Sequence, residues 1–126
     1  TQLSGRFQMR IGIRTNKIDS AKQRSGISPN FVHSLDATHL RLTVLVAKEK
    51  GIESLAVIHD DFGTHAGDTE TLHWCIRDAF VRLYTEHDPL ADFKAQQEAT
   101  GRKLPALPPR GTLAIEEVRN SLYFFG

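Results

Sequence analysis

His59-Asp60-Asp61-Phe62-Gly63-Thr64 ends the apolar run Leu55-Ala56-Val57-Ile58 with an imidazole and two carboxylates. A carboxylate beside strand-like apolar residues is costly to bury unless it is paired or binds a metal. Hard cations such as Mg2+ take carboxylate oxygens and keep water or phosphate oxygens as their other ligands, which makes Asp60 a candidate metal ligand with His59 beside it. One Asp is not a complete site, and Asp60, Asp61 and Gly63 are equally ordinary residues of a solvated hairpin turn. A second polar set, His33, Asp36 and His39, recurs at three-residue steps and so shares one helix face. A ligand could approach there, although Asp and Ser near a helix start also serve for capping alone.

The elements that position these residues can be read from periodicity. Ser28-Pro29-Asn30 opens a predicted helix running to Lys50, with Pro29 in the first turn and Gly51 as the stop. Its second half, Leu40 to Ala47, is apolar on most sides and is expected to be largely buried. A strand follows from Glu53 to Phe62, turning at His59 to Asp61, which places His59 and Asp60 at a hairpin tip. Gly67-Asp68 caps a further helix, with Leu72, Ile76, Ala79, Phe80 and Leu83 as a single buried stripe, and Asp88-Pro89 starts another that ends at Gly101.

Leu104 to Gly111 is too rich in proline for a helix or central strand and reads as an extended connector. A short helix near Ile115 to Asn120 precedes the aromatic tail Tyr123-Phe124-Phe125-Gly126, which is expected to be docked, because an exposed aromatic tail is an aggregation liability. At the other end Phe7, Met9, Ile11 and Ile13 alternate with Gln8, Arg10, Gly12 and Arg14, the pattern of a half-buried strand with a basic face. That face either meets phosphate or guards an exposed edge. Residues 15 to 26 are polar and fit either a helix or a loop.

With 126 residues the chain is long enough for one modest core. No leader and no apolar run near the ~20 residues of a membrane span are visible, so the chain is expected to be soluble and unexported, with no membrane partner. The single cysteine, Cys75, excludes an internal disulfide, and the six histidines show no zinc spacing. A net charge of +1 argues against a free-standing nucleic-acid binder held by bulk electrostatics. Charge is uneven, however: Arg6, Arg10, Arg14, Lys17, Lys22 and Arg24 face only Asp19, so this basic end is the one suited to phosphate.

Ser25-Gly26-Ile27-Ser28-Pro29-Asn30-Phe31-Val32-His33-Ser34, then Asp36, His39-Leu40-Arg41 and Thr43-Val44, resembles the helix ahead of the catalytic hairpin in single-subunit, bacteriophage-type DNA-directed RNA polymerases. Lys50-Gly51-Ile52-Glu53-Ser54 followed by His59-Asp60-x-Phe62-Gly63-Thr64 resembles the motif C of that family, and Leu90-Ala91-Asp92-Phe93, Leu104-Pro105-Ala106-Leu107-Pro108 and the aromatic carboxyl terminus continue in family order. The resemblance covers most of the chain from about Arg6 onward and favours a functional Asp60 over a solvated turn.

The resemblance implies an α+β fold in which a small antiparallel palm-type sheet carries the catalytic hairpin against several helices. Residues 1–126 would be a C-terminal palm and fingers-derived portion, with 102–126 as the extended connector and tail packed on it. The reaction implied is template-directed nucleotidyl transfer from nucleoside triphosphates to the RNA 3′ hydroxyl with two Mg2+ ions. Asp60 would be one metal-bridging carboxylate, His59 would support the tip and hold the primer end, and His33 would touch the minor groove of the new base pair. A minor-groove contact of this kind tests pairing geometry without reading sequence, because acceptors there occupy similar positions in every pair. Arg10 and Arg14 are assigned to nucleic acid on charge and strand phase alone. Partners would be the DNA template, nascent RNA, nucleoside triphosphates and the remaining N-terminal and fingers portions of the enzyme. The implied location is the cytoplasm of a phage or prophage host rather than an organellar matrix.

Asp61 departs from the family, where a small or uncharged residue is expected after the catalytic Asp. Family A DNA polymerases carry an acidic residue at that step, but Phe62-Gly63-Thr64 and the His33 helix favour RNA polymerases. In such an enzyme the second metal-binding Asp and the fingers helix with its Lys and Tyr would precede Thr1, so these residues alone are expected not to polymerise. The alternatives are a non-catalytic polymerase remnant or interaction module, and a metal-dependent phosphohydrolase that would draw further ligands from His33, Asp36 and His39.

Overall fold

A computed structural model describes residues 11–13 and 16–124. Helix α1 (Ser20–Glu49) leads through a short hairpin, β1 (Ala56–Ile58) and β2 (Asp61–Gly63), into helix α2 (Thr69–Thr85). Helix α3 (Pro89–Ala99) and a 3₁₀ segment (Ile115–Asn120) follow. Helices and one small antiparallel sheet make this an α+β fold. No helix among the described residues is long and apolar enough to cross a membrane.

Helix α1 begins eight residues before the expected start. Its N-cap is Asp19, whose carboxylate accepts from the backbone N–H groups of Ala21 and Lys22, both at 3.1 Å. Two orphan donors of the first turn are thereby satisfied, and a capping residue outweighs the preference of proline for the first turn. Pro29 therefore lies inside the helix, where it has no N–H to give to the carbonyl four residues back. Gly51, at φ 86°, stops the helix as expected, since a left-handed backbone is easiest for glycine.

The second half of α1 buries one side only. Thr43, Val46 and Ala47 are buried while Leu45 stays 57% exposed. Val46, Ala47 and Ile52 pack with Leu72, Cys75 and Ala79 of α2 to form the core, with Leu42, Leu55, Phe62 and Ile76 at its margin. Cys75 is thus an interior packing residue.

Burial on α2 goes beyond the single expected stripe. Arg77 and Asp78 are buried as well, because the C-terminal segment closes over them. Arg77 Nε donates to the Ser121 carbonyl at 3.2 Å, and Asp78 takes Arg119 at 2.9 Å on one oxygen and Arg82 at 2.7 Å on the other. Arg and Asp read as a solvated face in sequence, and only their mutual pairing makes the burial tolerable. The tail expectation is met in part: Phe124 packs on Phe80 with ring centroids 4.9 Å apart, whereas Leu122 and Tyr123 are exposed.

Helix α3 starts at Pro89 under Asp88, which caps Ala91 N–H at 3.1 Å, and ends before Gly101 at φ 85°. Arg110 from the connector pairs with Asp88, and residues 104–111 contain no helix or strand. The predicted N-terminal strand is not present at residues 11–13, where Ile11 and Ile13 are exposed; the rest of that expectation, including Arg10 and Arg14, lies outside the described residues.

Candidate active site

The hairpin has the register Ala56↔Gly63, Val57↔Phe62 and Ile58↔Asp61, so His59 and Asp60 are its two-residue turn. His59 adopts φ 56°, the left-handed backbone that tight hairpin turns require, and histidine tolerates it better than most residues with a Cβ. The strands are shorter than expected, and β1 is not a buried strand, since Ile58 is 68% exposed. Only Val57 and Phe62 point inward, and Thr64 Oγ1 closes the base by donating to the Ser54 carbonyl at 2.8 Å. The turn therefore projects two polar side chains from a short, anchored stalk.

That turn opens onto a cleft of about 860 Å³. His33 and Asp36 of α1 line it together with His59 and Asp60, while Phe62, Phe80 and Phe124 form its apolar walls. The structure thus brings together the two polar sets that are separate in sequence. Asp61 faces Ile58 across the hairpin and does not line the cleft. Phe80 reads in sequence as plain core and Phe124 as a docked tail; neither carries a local signal of a cleft wall.

His39 is held in the cleft by a hydrogen bond and three ring contacts. Its Nε2–H donates to the Ile76 carbonyl at 2.9 Å. Its ring meets Phe80 edge-on at 5.7 Å and also stands near Phe62 and Phe124, each at 6.3 Å. Burial holds its pKa below the ordinary 6.5, against the opposing pull of the Ile76 bond and the Asp36 charge. A neutral, engaged imidazole is a structural support for the cleft.

Among the described residues no three His, Cys, Asp or Glu side chains come close enough to hold a metal ion. The donor set that the phosphohydrolase reading would draw from His33, Asp36 and His39 therefore does not form among them. Asp60 is exposed at the turn, and a solvated carboxylate fits one ligand position of a hard cation while leaving the rest to water, substrate and another carboxylate.

Residues 2–103 match the family of DNA-dependent RNA polymerases. The chain is 46% identical over 130 residues to T7 RNA polymerase of Escherichia phage T7, an alignment covering 96% of this chain and 15% of that protein. It is 45% identical over 130 residues to the DNA-directed RNA polymerase of Enterobacteria phage T3, with the same coverage of both. DNA-directed RNA polymerase 1A of Nicotiana tabacum is 40% identical over 114 residues, covering 88% of this chain and 72% of that protein. The chain spans about 15% of the length of the two phage relatives.

Proposed function

The chain belongs to the DNA-dependent RNA polymerase family, and from that premise we propose that it supplies the catalytic hairpin of a template-directed nucleotidyl transferase making RNA. The observation that carries this is the placing of Asp60 on a two-residue turn that opens onto the same cleft as His33. Asp60 would hold Mg2+, and the second carboxylate of a two-metal site would come from outside this chain. Bound Mg2+ supplies charge neutralisation for the attacking and leaving oxygens.

The chain's own residues do the positioning. Asp60, on a turn fixed by six paired strand residues, presents its carboxylate to the cleft. His59 holds the primer end from the adjacent turn position. His33, on α1 in the same cleft, touches the minor groove of the newly formed base pair, where a single polar contact tests pairing geometry. The apolar walls limit water around the reacting groups. Template DNA, nascent RNA and nucleoside triphosphates are the partners of this reading, and the cytoplasm of a phage or prophage host is its location, supported by the higher identity to the phage relatives.

Asp60→Asn in the full polypeptide that carries this sequence tests the reading. Nucleotide incorporation on a primed template should fall at least about a hundredfold, since an amide cannot replace an anionic metal ligand. Near-normal incorporation by the Asp60→Asn variant would overturn it.

A further inference from the structure

A second cleft, of about 800 Å³, runs between the first turns of α1 and helix α3. Lys22, Arg24 and Arg102 line it, and among the described residues no carboxylate does. Lys22 has Asp19 at 4.0 Å, and Glu98 nearby is engaged by Lys94 at 3.8 Å. Arg24 has no carboxylate partner among the described residues, and Arg102 donates only to the neutral Gln97 side chain at 3.1 Å. The cleft thus keeps an uncompensated positive charge on both walls. The helix start adds no site of its own, because Asp19 already occupies its N–H groups.

We propose that this cleft binds the backbone of single-stranded RNA, apart from the candidate active site. A groove that tracks phosphates with cations and offers an aromatic surface to a base is the usual physical solution for a single strand. Phe93 supplies that surface and is held by the Phe31 ring, 5.3 Å away. The side-chain amides of Gln23, Asn30 and Gln97 also line the cleft. Each amide both donates and accepts, as the ribose 2′-hydroxyl does, which favours RNA over DNA. The overall charge of +1 is too small to hold a duplex by bulk attraction, whereas a local cationic cleft suits one strand. From the polymerase reading this takes only that RNA is at hand.

The test is fluorescence anisotropy of a short labelled oligoribonucleotide, and of its deoxy counterpart, across a salt series. It uses the full polypeptide that carries this sequence as wild type, Arg24→Gln, Arg24→Gln with Arg102→Gln, both arginines to Lys, and Asp61→Ser. Circular dichroism confirms that each variant is folded; these side chains are exposed, and the single variant is read if the double is not folded. The double glutamine variant should bind RNA at least about fivefold more weakly, with the salt slope reduced by about 1.4 for two lost phosphate contacts on a single strand. The lysine variant should retain most of the affinity. Unchanged RNA affinity in folded glutamine variants, or a loss of DNA affinity in them as large as the loss of RNA affinity, would overturn the inference. Asp61→Ser, at a position that lines neither cleft, should leave this binding intact, and the incorporation result of Asp60→Asn bears on the active-site reading alone.

Discussion

His39 Nε2 donates to the Ile76 carbonyl at 2.9 Å, joining α1 to α2 beneath the cleft that Asp60 overlooks. In an α-helix that carbonyl already accepts from the N–H four residues on, here Phe80, and its second lone pair takes the imidazole. The bond fixes the ring against Phe80 and Phe124, so one histidine ties together both long helices and the carboxyl-terminal tail. A cleft wall drawn from three parts of the chain needs such a tie to keep its shape.

Acid should destabilise the fold through His39, because the protonated ring keeps its bond to Ile76 but is costly to bury. Burial lowers the His39 pKa in the folded state, so below 6.5 the unfolded chain takes up the proton more readily. The contribution of His39 is fully present above 6.5 and is lost as pH falls from there through the lower folded value. An NMR titration of the His39 ring should give a midpoint below 6.5, and His39→Gln should flatten that part of the stability profile. A midpoint at or above 6.5 would contradict the assignment.

His59 carries backbone strain that glycine would relieve. A left-handed φ costs an L-residue about 1–2 kcal/mol, partly offset in glycine by its greater freedom when unfolded. His59→Gly should therefore leave stability unchanged or raise it by about 0.5 kcal/mol, while nucleotide incorporation by the full polypeptide falls. His59→Val, branched at Cβ, should cost about 1 kcal/mol or more in denaturant unfolding.

Asp61 gives a contrast to Asp60. It pairs with Ile58 on the exposed hairpin and stays out of the cleft, so Asp61→Ser should change incorporation by less than about threefold, within the usual range for a surface residue. A loss comparable to that of Asp60→Asn would make Asp61 a metal ligand in its own right.

The carboxyl-terminal segment hangs on Asp78, which is 4% exposed and bridges Arg82 and Arg119. Asp78→Ala should cost about 2 kcal/mol, less than a wholly buried pair because both arginines reach solvent. Hydrogen exchange at residues 115–121 should accelerate with it, and unchanged exchange there would show that other contacts hold the segment.

The sequence by itself determined the local features of this protein. His59-Asp60 at a hairpin tip, Gly51 and Gly101 as helix stops and Asp88-Pro89 as a helix start all rest on near-neighbour rules, and each stands in the structure. The start of α1 is not legible in the same way, because Pro29 reads as a first-turn residue and the structure places it inside the helix. Only the tertiary structure decided which residues share the cleft. Phe80 and Phe124 are core and tail by pattern, and they become cleft walls because α2 packs on α1 and the tail folds back over both. The burial of Arg77 and Asp78 has the same origin, since a charged residue is interior only when a distant partner such as Arg119 arrives to pair with it. Periodicity reports one element at a time, and a site is a meeting of several.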